Sequence, residues 1–286
     1  MKEFLKQKIA FFILKLSTII VVIILALLLY FIFSNGISAI NWEFLTEMPS
    51  AYMTEGGIYP AIIGTLCLVI GSMMVALPLG VLSAIYLTEY AKKGKTTKII
   101  NLAINNLAGT PSIVFGLFGL ALFVNYFGFG PSILAASLTL ALVVIPVIIK
   151  ASEEALLTVP QEYREASLAI GATKWQTIQR VVLPSAIPGI ITGTILSIGR
   201  VAGETAPILF TGAAYYLPRL PDSISDQFMA LPYHLFVMAT SGTNIAKTKH
   251  LQYGTALVLL AIVLSVNLIA VIIRKHYRKK LYKGKV

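Results

Sequence analysis

The chain has 286 residues, of which 57% are hydrophobic and 12% are charged, and its mean hydropathy is +0.83. This composition excludes an ordinary soluble domain and predicts a protein that crosses a membrane several times. The single cysteine excludes a disulfide framework, and the three scattered histidines show no metal-ligand spacing. A formal charge of +11 would suggest nucleic-acid binding in a soluble protein, but in a membrane protein it is a topology signal.

Six apolar segments are candidates for membrane-spanning helices. A helix needs roughly 20 apolar residues to cross a bilayer, and five of the segments reach about that length as continuous apolar stretches. The sixth, 185–210, is interrupted by Arg200 and Glu204. In chain order the segments are 11–33, 59–88, 99–126, 131–149, 185–210 and 255–273. We therefore predict an all-α, polytopic membrane protein with six transmembrane helices.

Basic residues are concentrated on one side of this topology. Most of the 23 lysines and arginines lie in the N-terminal segment, in residues 92–98 and 150–180, or in the C-terminal tail, which six alternating spans place together. Cytoplasmic loops of membrane proteins carry an excess of lysine and arginine. We predict a multi-pass protein of the cell membrane (plasma or inner) with both termini cytoplasmic. The tail is also suited to binding anionic membrane lipid, although topology alone explains it.

The spans divide the chain into an N-terminal part, a core and a tail. The N-terminal part contains the first cytoplasmic segment, the first transmembrane helix and the first outer loop; the core contains five transmembrane helices; the tail is basic and cytoplasmic. The three parts are residues 1–56, 57–275 and 276–286. Within the core we predict a cytoplasmic loop at about 151–184 and an outer loop at about 211–254.

Two outer segments have more than one interpretation. Trp42 and Tyr52 in the first outer loop fit an interfacial aromatic belt better than a ligand contact. Residues 228–239 of the later outer loop predict a short re-entrant or interfacial helix, which either touches another subunit or anchors the loop at the membrane surface.

Residues 89–96 end in Gly94-Lys95-Thr96, the final letters of a nucleotide-binding P-loop. The motif requires a glycine at position 89, where the sequence has Glu89, and a preceding β-strand, where it has a transmembrane helix. We therefore expect no ATP site in this chain. With no nucleophile–base set or metal cluster elsewhere, we expect no catalytic residue, no bound metal and no enzyme activity.

The third span contains a break signal. Pro111 frees a backbone carbonyl, and Gly109 and Gly116 allow close approach of another helix. In lipid such a break is tolerated only against protein or a water-filled cavity. Helix packing through small residues and a break close to a transport pathway both remain open from the residues alone.

Residues 160–184 predict a helix–turn–helix on the cytoplasmic surface. Pro160 suits the first turn of a helix, and Gly171 supplies the left-handed conformation that closes one. A second short helix, from Thr173 to about Val182, is expected to end at Pro184.

The same segment resembles the EAA loop of ABC-importer permeases. The residues that carry the resemblance are Glu165, Ala166, Ser167, Gly171, Leu183 and Pro184. Ser167 stands where that loop has alanine, and Val181 stands where it has isoleucine; both replacements are conservative in shape. The resemblance implies that the six residues belong to a coupling segment that sits in a cleft of a separate ATPase subunit.

Arg200 and Glu204 form the second informative feature. They are four residues apart, so a helix would place them on one face, at or beyond the middle of the membrane. A charge at that depth is costly and commonly marks a substrate pathway. A pathway site is the favoured interpretation, ahead of a pair that only fixes helix register and of a proton relay. Gly199 and Gly203 would allow a neighbouring helix or substrate to approach.

The stretch from Arg200 to Pro207, together with residues 107–117 and 227–234, resembles the A-type permeases of phosphate-specific ABC importers. The resemblance implies the type I ABC-importer permease fold and an alternating-access importer of inorganic phosphate. It also implies three partners: a second homologous permease (PstC-like), an ATPase dimer (PstB-like) and an extracytoplasmic phosphate-binding protein (PstS-like). ATP and magnesium would bind the ATPase, so no cofactor is expected on this chain, and no nucleic acid is expected as a partner.

Other functions remain open at this stage. An ABC permease for another oxyanion, such as phosphonate or molybdate, fits the same charged pair. A secondary transporter, a channel or a membrane scaffold would need no ATPase, and the EAA-like loop argues against them.

Overall fold

The computed structural model describes residues 2–92, 94–242, 245 and 248–283. Over these residues the chain forms twelve α-helices and one two-residue antiparallel hairpin, β1 (Pro49–Ser50) and β2 (Glu55–Gly56). The helices are α1 (Lys2–Gly36), α2 (Trp42–Thr46), α3 (Tyr59–Ile85), α4 (Lys95–Gly109), α5 (Ser112–Gly119), α6 (Ile133–Leu157), α7 (Gln161–Ala169), α8 (Lys174–Thr177), α9 (Leu183–Gly203), α10 (Ala206–Thr211), α11 (Leu231–Thr240) and α12 (Lys249–Lys283).

Five helical segments among the described residues are long and apolar enough to cross a membrane. They are Lys6–Ala39, Tyr59–Tyr90, Ile133–Leu157, Lys174–Gly203 and Lys249–Tyr277. A sixth crossing results if the bent pair Lys95–Gly109 and Ser112–Tyr126 is one span. The prediction of an all-α protein with six candidate spans is therefore confirmed.

The third span, predicted at 99–126, consists of two helices, α4 and α5, separated by a break. Its two halves are bent by 100° between Gly109 and Ser112. Thr110 and Pro111 both adopt extended backbone angles, because proline disfavours a helical conformation in the residue before it. The break predicted at Pro111 is therefore confirmed.

The predicted end of a helix at Pro184 is wrong. The chain remains helical from Lys174 to Gly203, with Pro184 in the first turn of α9. A π-helical turn at Ile178–Val182 precedes the proline, and the Leu183 N–H bonds to the Ile178 carbonyl five residues back. This wider hydrogen-bonding pattern accommodates a proline, which has no N–H to donate.

The centre of the molecule is α6, packed between α3 and α9. Leu140, Val143 and Val144 of α6 are almost completely buried. Small residues bring the helices together: a Cβ atom added at Gly80 of α3 would lie 2.6 Å from the Ile148 side chain, and one added at Gly193 of α9 would lie 2.3 Å from that of Ala151. Helices in lipid associate through close packing of small residues, because the hydrophobic effect does not drive apolar helices together there.

The first helix lies outside this centre. Most contacts of α1 are with α12, where Phe31 packs edge-on against Tyr253 and Gly36 meets the Tyr253 backbone. The central part of α1 is otherwise exposed, as expected for a helix surrounded by lipid. It is an addition to the core.

Near the N-terminal end of α3, a buried extended segment and α11 pack against the helix. The Leu231 N–H donates to Thr65 Oγ1 over 2.9 Å, and the Met229 carbonyl fills the space above Gly64. With ten residues, about 15 Å long, α11 is too short to cross the membrane. Its His234 is 3% exposed, and the Nδ1 atom has no hydrogen-bond partner among the described residues. Burial lowers the pKa of His234 to about 4.

Candidate functional site

The charged pair predicted in the membrane makes direct contact. Arg200 Nε donates to Glu204 Oε1 over 3.2 Å, and the two side chains are 34% and 16% exposed. Arg200 lies in the last turn of α9, about 26 Å along the helix from Leu183. The pair therefore lies towards the end of this crossing that is far from the helix–turn–helix.

The two residues face each other one turn apart at the end of α9, as the spacing predicted. The helix ends at Gly203, and Glu204 has extended backbone angles (φ −72°, ψ 130°) before α10 begins at Ala206. The side chains meet across this helix end. The reason for the ending is local, because Pro207 disfavours helical continuation and the glycine before Glu204 is a poor helix former.

The break after α9 lies beside the break in the third span. The helices that follow the two breaks, α10 and α5, pack directly together across Gly116. A Cβ atom added at Gly116 would lie 3.0 Å from Pro207 Cα and 2.9 Å from the Phe210 ring, so the predicted close approach at Gly116 is confirmed. In contrast, a Cβ atom at Gly109 or Gly203 would meet nothing within 4 Å, and one at Gly199 would make only ordinary contact with α12.

The guanidinium of Arg200 has unused hydrogen-bonding capacity. An arginine carries five N–H donors, and among the described residues Arg200 uses only Nε–H, towards Glu204. Its two terminal amino groups remain available to an acceptor. A planar fork of donors matches the oxygens of phosphate and related oxyanions, so this arrangement is chemically suited to an anion.

The predicted helix–turn–helix is formed by α7 and α8, and its turn is closed as the sequence predicted. Gly171 has φ +86°, its N–H bonds to the Leu168 carbonyl over 3.0 Å, and the Ala172 N–H bonds to the Ser167 carbonyl over 3.2 Å. These two bonds form a Schellman motif, which requires a left-handed residue at the position of Gly171.

A capping box begins α8, and one hydroxyl contact joins α8 to α7. Thr173 and Gln176 form a reciprocal capping box, with bonds of 3.3 and 2.9 Å between side chain and backbone. The buried hydroxyls of Ser167 and Thr177 lie 2.9 Å apart and join the two helices. Ser167 therefore has a bonding role that an alanine at this position would lack.

The predicted coupling residues fall into two groups. Glu165, Ala166, Ser167 and Gly171 lie together in α7 and its turn, and only Ser167 among them is buried. Leu183 and Pro184 are partly buried at the beginning of α9. The surface of the helix–turn–helix exposes large apolar side chains, namely Leu168, Ile170 and Trp175, with Ile170 86% exposed. We name this surface, formed by α7, its turn and α8, the coupling knob.

Sequence reasoning missed the residues that attach the coupling knob to the core. Arg164 Nη2 lies 2.8 Å from Glu89 Oε1, and both side chains are nearly buried. Lys174 Nζ lies 4.9 Å from the centre of the Tyr90 ring. The sequence offers only indirect signals: Arg164 is one of the basic residues that indicate the membrane topology, and Glu89 is the residue that does not fit a P-loop.

A core of broken and continuous membrane-spanning helices thus carries an exposed helix–turn–helix with apolar side chains on its surface. The family model described as "Binding-protein-dependent transport system inner membrane component" matches residues 76–283. The match covers more than half of the chain, so the chain belongs to this family of transport permeases.

Individual relatives extend the similarity to nearly the whole chain. The chain is 37% identical over 267 residues to the "Probable ABC transporter permease protein YqgI" of Bacillus subtilis, covering 89% of this chain and 90% of the relative. It is 36% identical over 262 residues to the "Phosphate transport system permease protein PstA 1" of Mycobacterium tuberculosis, covering 90% and 85%. The corresponding PstA of Mycobacterium leprae is 38% identical over 258 residues, covering 88% and 83%.

Solved structures show the same fold at lower identity. A chain of the MetNI methionine ABC transporter in an inward-facing conformation superposes with a TM-score of 0.58 at 20% identity, covering 77% of this chain and 94% of the other. A bacterial ABC transporter that imports alginate gives a TM-score of 0.54 at 14% identity, covering 79% and 80%. The predicted type I ABC-importer permease fold is therefore confirmed.

Proposed function

We propose that this chain is the permease subunit of an ATP-driven importer of inorganic phosphate that works by alternating access. Three relatives named as phosphate transport permeases or as an ABC permease, each 36–38% identical over about 90% of the chain, support this proposal. The observation that carries it within the molecule is Arg200 near the end of a membrane-crossing helix, because its terminal amino groups have no partner among the described residues and suit a passing oxyanion.

In this proposal Arg200 meets the anion and Glu204 controls its release. While no anion is present, Glu204 accepts one hydrogen bond from Arg200 and reduces the cost of an isolated charge in the membrane. An incoming phosphate would bond to the free terminal amino groups and compete with Glu204 for the guanidinium. The negative charge of Glu204 would then favour release of the anion, which keeps binding weak enough for transport.

The coupling knob supplies the link to ATP. A separate ATPase dimer, which holds ATP and magnesium, would bind the exposed apolar side chains Leu168, Ile170 and Trp175. Closure of that dimer would move the knob, and hydrolysis would reset it. The complex would also contain a second homologous permease and an extracytoplasmic phosphate-binding protein. The distribution of basic residues supports cytoplasmic termini, which place the knob on the ATPase side.

The test is uptake of labelled phosphate by proteoliposomes that contain the complete complex, with Arg200→Gln beside wild type. A hydrogen bond to a charged group contributes about 1.5–3 kcal/mol, so the variant should import phosphate roughly ten- to hundredfold more slowly. Arg219→Gln is the matched control, because Arg219 is exposed and its contact among the described residues is a 3.9 Å ion pair with Asp222. Co-purification of the ATPase verifies that each variant assembles.

The outcomes separate the possible functions. Near-normal uptake in an assembled Arg200→Gln complex would return the pair to a structural role. If wild type fails to import phosphate but imports phosphonate or molybdate, the substrate assignment is wrong and the permease assignment stands. Uptake without an ATPase would indicate a secondary transporter.

A further inference from the structure

The coupling knob is attached to the membrane core through one nearly buried arginine. Arg164 of α7 donates from Nε and Nη2 to Glu89 Oε1 over 3.1 and 2.8 Å. The two side chains are only 13% and 9% exposed, so this is a buried ion pair rather than a surface contact. Glu89 lies in the π-helical turn Tyr86–Tyr90 that ends the crossing begun by α3.

The same guanidinium also binds the end of the central helix. Arg164 Nη2 donates to the Leu156 carbonyl over 3.0 Å, and Nη1 donates to the carbonyls of Val159 and Pro160 over 2.7 and 3.5 Å. The carbonyls at a helix C-terminus lack partners within the helix, and Leu156 lies in the last turn of α6. Arg164 thus bonds to the turn that ends the α3 crossing, to the end of α6 and, through Nη1, to the link between α6 and α7, whereas Arg200 makes one bond among the described residues.

A second contact connects the other helix of the knob to the same place. Lys174 at the start of α8 lies over the ring of Tyr90, the residue next to Glu89. A cavity of about 590 Å³ lies beside these contacts and is lined by Glu89, Arg164 and Lys174. Ala84, which precedes Glu89 in the chain, and Leu156, which precedes Arg164, belong to one buried apolar cluster. The charged contacts therefore lie next to the packed core and connect it to the coupling knob.

We propose that Arg164 is the positioning residue that makes the coupling knob, the end of α3 and the end of α6 move as one unit. The inference rests on the proposed function, because it concerns how movement of the knob by an ATPase reaches the membrane helices. Arg164 bonds to the turn that follows α3 and to the end of α6, which are packed together, so displacing α7 without them would break three hydrogen bonds and expose a buried ion pair. A buried ion pair is often no more stabilising than apolar residues of the same size, so stability alone does not account for it.

Single and double substitutions of Arg164 and Glu89 distinguish a role of the ion pair in coupling ATP hydrolysis to transport from a role in stability. Arg164→Met or Glu89→Leu alone leaves one buried charge unpaired, whereas the double variant removes both charges. In the reconstituted complex we expect the double variant to regain thermal stability relative to either single variant. Phosphate uptake per ATP hydrolysed should remain about two- to thirtyfold below wild type, the range expected when a coupling contact is lost.

Arg180→Met is the matched control, because Arg180 is an exposed arginine in the turn that follows α8. It should leave the ratio of uptake to ATP hydrolysis unchanged. If the assembled double variant couples as well as wild type, the ion pair is only structural and the inference is wrong. Wild type that hydrolyses ATP without importing phosphate would instead count against the proposed function.

A distance measurement tests the same inference without disrupting the pair. Spin labels at Tyr86→Cys and Glu162→Cys, both exposed, report the separation of the α3 end from α7 in a Cys67→Ala background. Between nucleotide-free and vanadate-trapped complexes the distance should change by no more than about 1–2 Å, the size of shifts within packed helices. A larger change would show that the knob moves independently of α3 and would overturn the inference, whichever substrate is transported.

Discussion

The buried imidazole of His234 gives a prediction whose size follows from the structure. His234 lies in α11, outside the membrane-spanning helices, and borders a small cavity together with Phe44 and Glu55 of the first outer loop. Burial lowers its pKa from 6.5 to about 4, because a charged imidazole without a partner is poorly solvated there. Acidification should therefore destabilise the packing of α11 against the outer loop.

The sign and size of the change in folding stability with pH follow from proton linkage. Between pH 6.5 and 4 the unfolded chain binds a proton at this position and the folded chain does not, so stability rises with pH across that window. The contribution is fully present above about pH 6.5 and is lost as the pH falls towards 4. The difference of roughly 2.5 pKa units corresponds to about 3 kcal/mol in total, of which about 2 kcal/mol is lost by pH 5.

The assay is thermal unfolding of the purified complex in detergent between pH 8 and pH 5. A loss of about 2 kcal/mol should lower the apparent Tm by roughly 4–8 °C, and His234→Leu should remove that part of the pH dependence. His276→Gln, which changes an exposed histidine of α12, should leave it intact. An identical pH dependence for wild type and His234→Leu would refute the argument that this imidazole is buried and neutral.

Two glycines give further predictions with matched controls. Gly171→Pro removes an N–H bond, and proline cannot adopt φ +86°, so ATP-driven uptake should fall severalfold while the chain still inserts in the membrane. Gly171→Asn should retain uptake, because asparagine tolerates the left-handed conformation. Equal activity of the two variants would contradict the role of the turn. Gly116→Ala should destabilise the α5–α10 contact by about 1–3 kcal/mol through overpacking, whereas the methyl group of Gly109→Ala meets open space and should cost less. Thermal unfolding of both variants measures the difference. Similar losses of stability in the two variants would show that α5 and α10 are not tightly packed.

The membrane crossings were predictable from the sequence because a bilayer imposes a strong and simple requirement. Long apolar segments must satisfy their backbone hydrogen bonds internally, so they form helices whatever their neighbours are. The sequence did not predict correctly whether each proline would end its helix. Pro111 breaks its helix and Pro184 does not, because a π-helical turn before Pro184 provides the compensation. Nothing in the residues next to either proline distinguishes these outcomes.

The candidate sites were predictable to the extent that they depend on local sequence. The turn at Gly171 was foreseen because a left-handed helix end needs only neighbouring residues. The contact of Arg200 with Glu204 was also foreseen, although the helix ends between them. The pair of Arg164 with Glu89 was not foreseen, because 75 positions separate its partners and only the packing of α3 against α6 brings them together.

The packing of α1 on α12 has a consequence for biogenesis. Synthesis proceeds from the N-terminus, so α1 is made before the core helices, and the helix that provides most of its contacts is made after them. A single apolar helix is stable in lipid, because all its backbone hydrogen bonds are internal. The helix α1 can therefore remain unassembled in the membrane while the intervening helices insert, and it packs against the molecule only after α12 has been made. A chain truncated before residue 249 would insert α1 but leave it without its main neighbour.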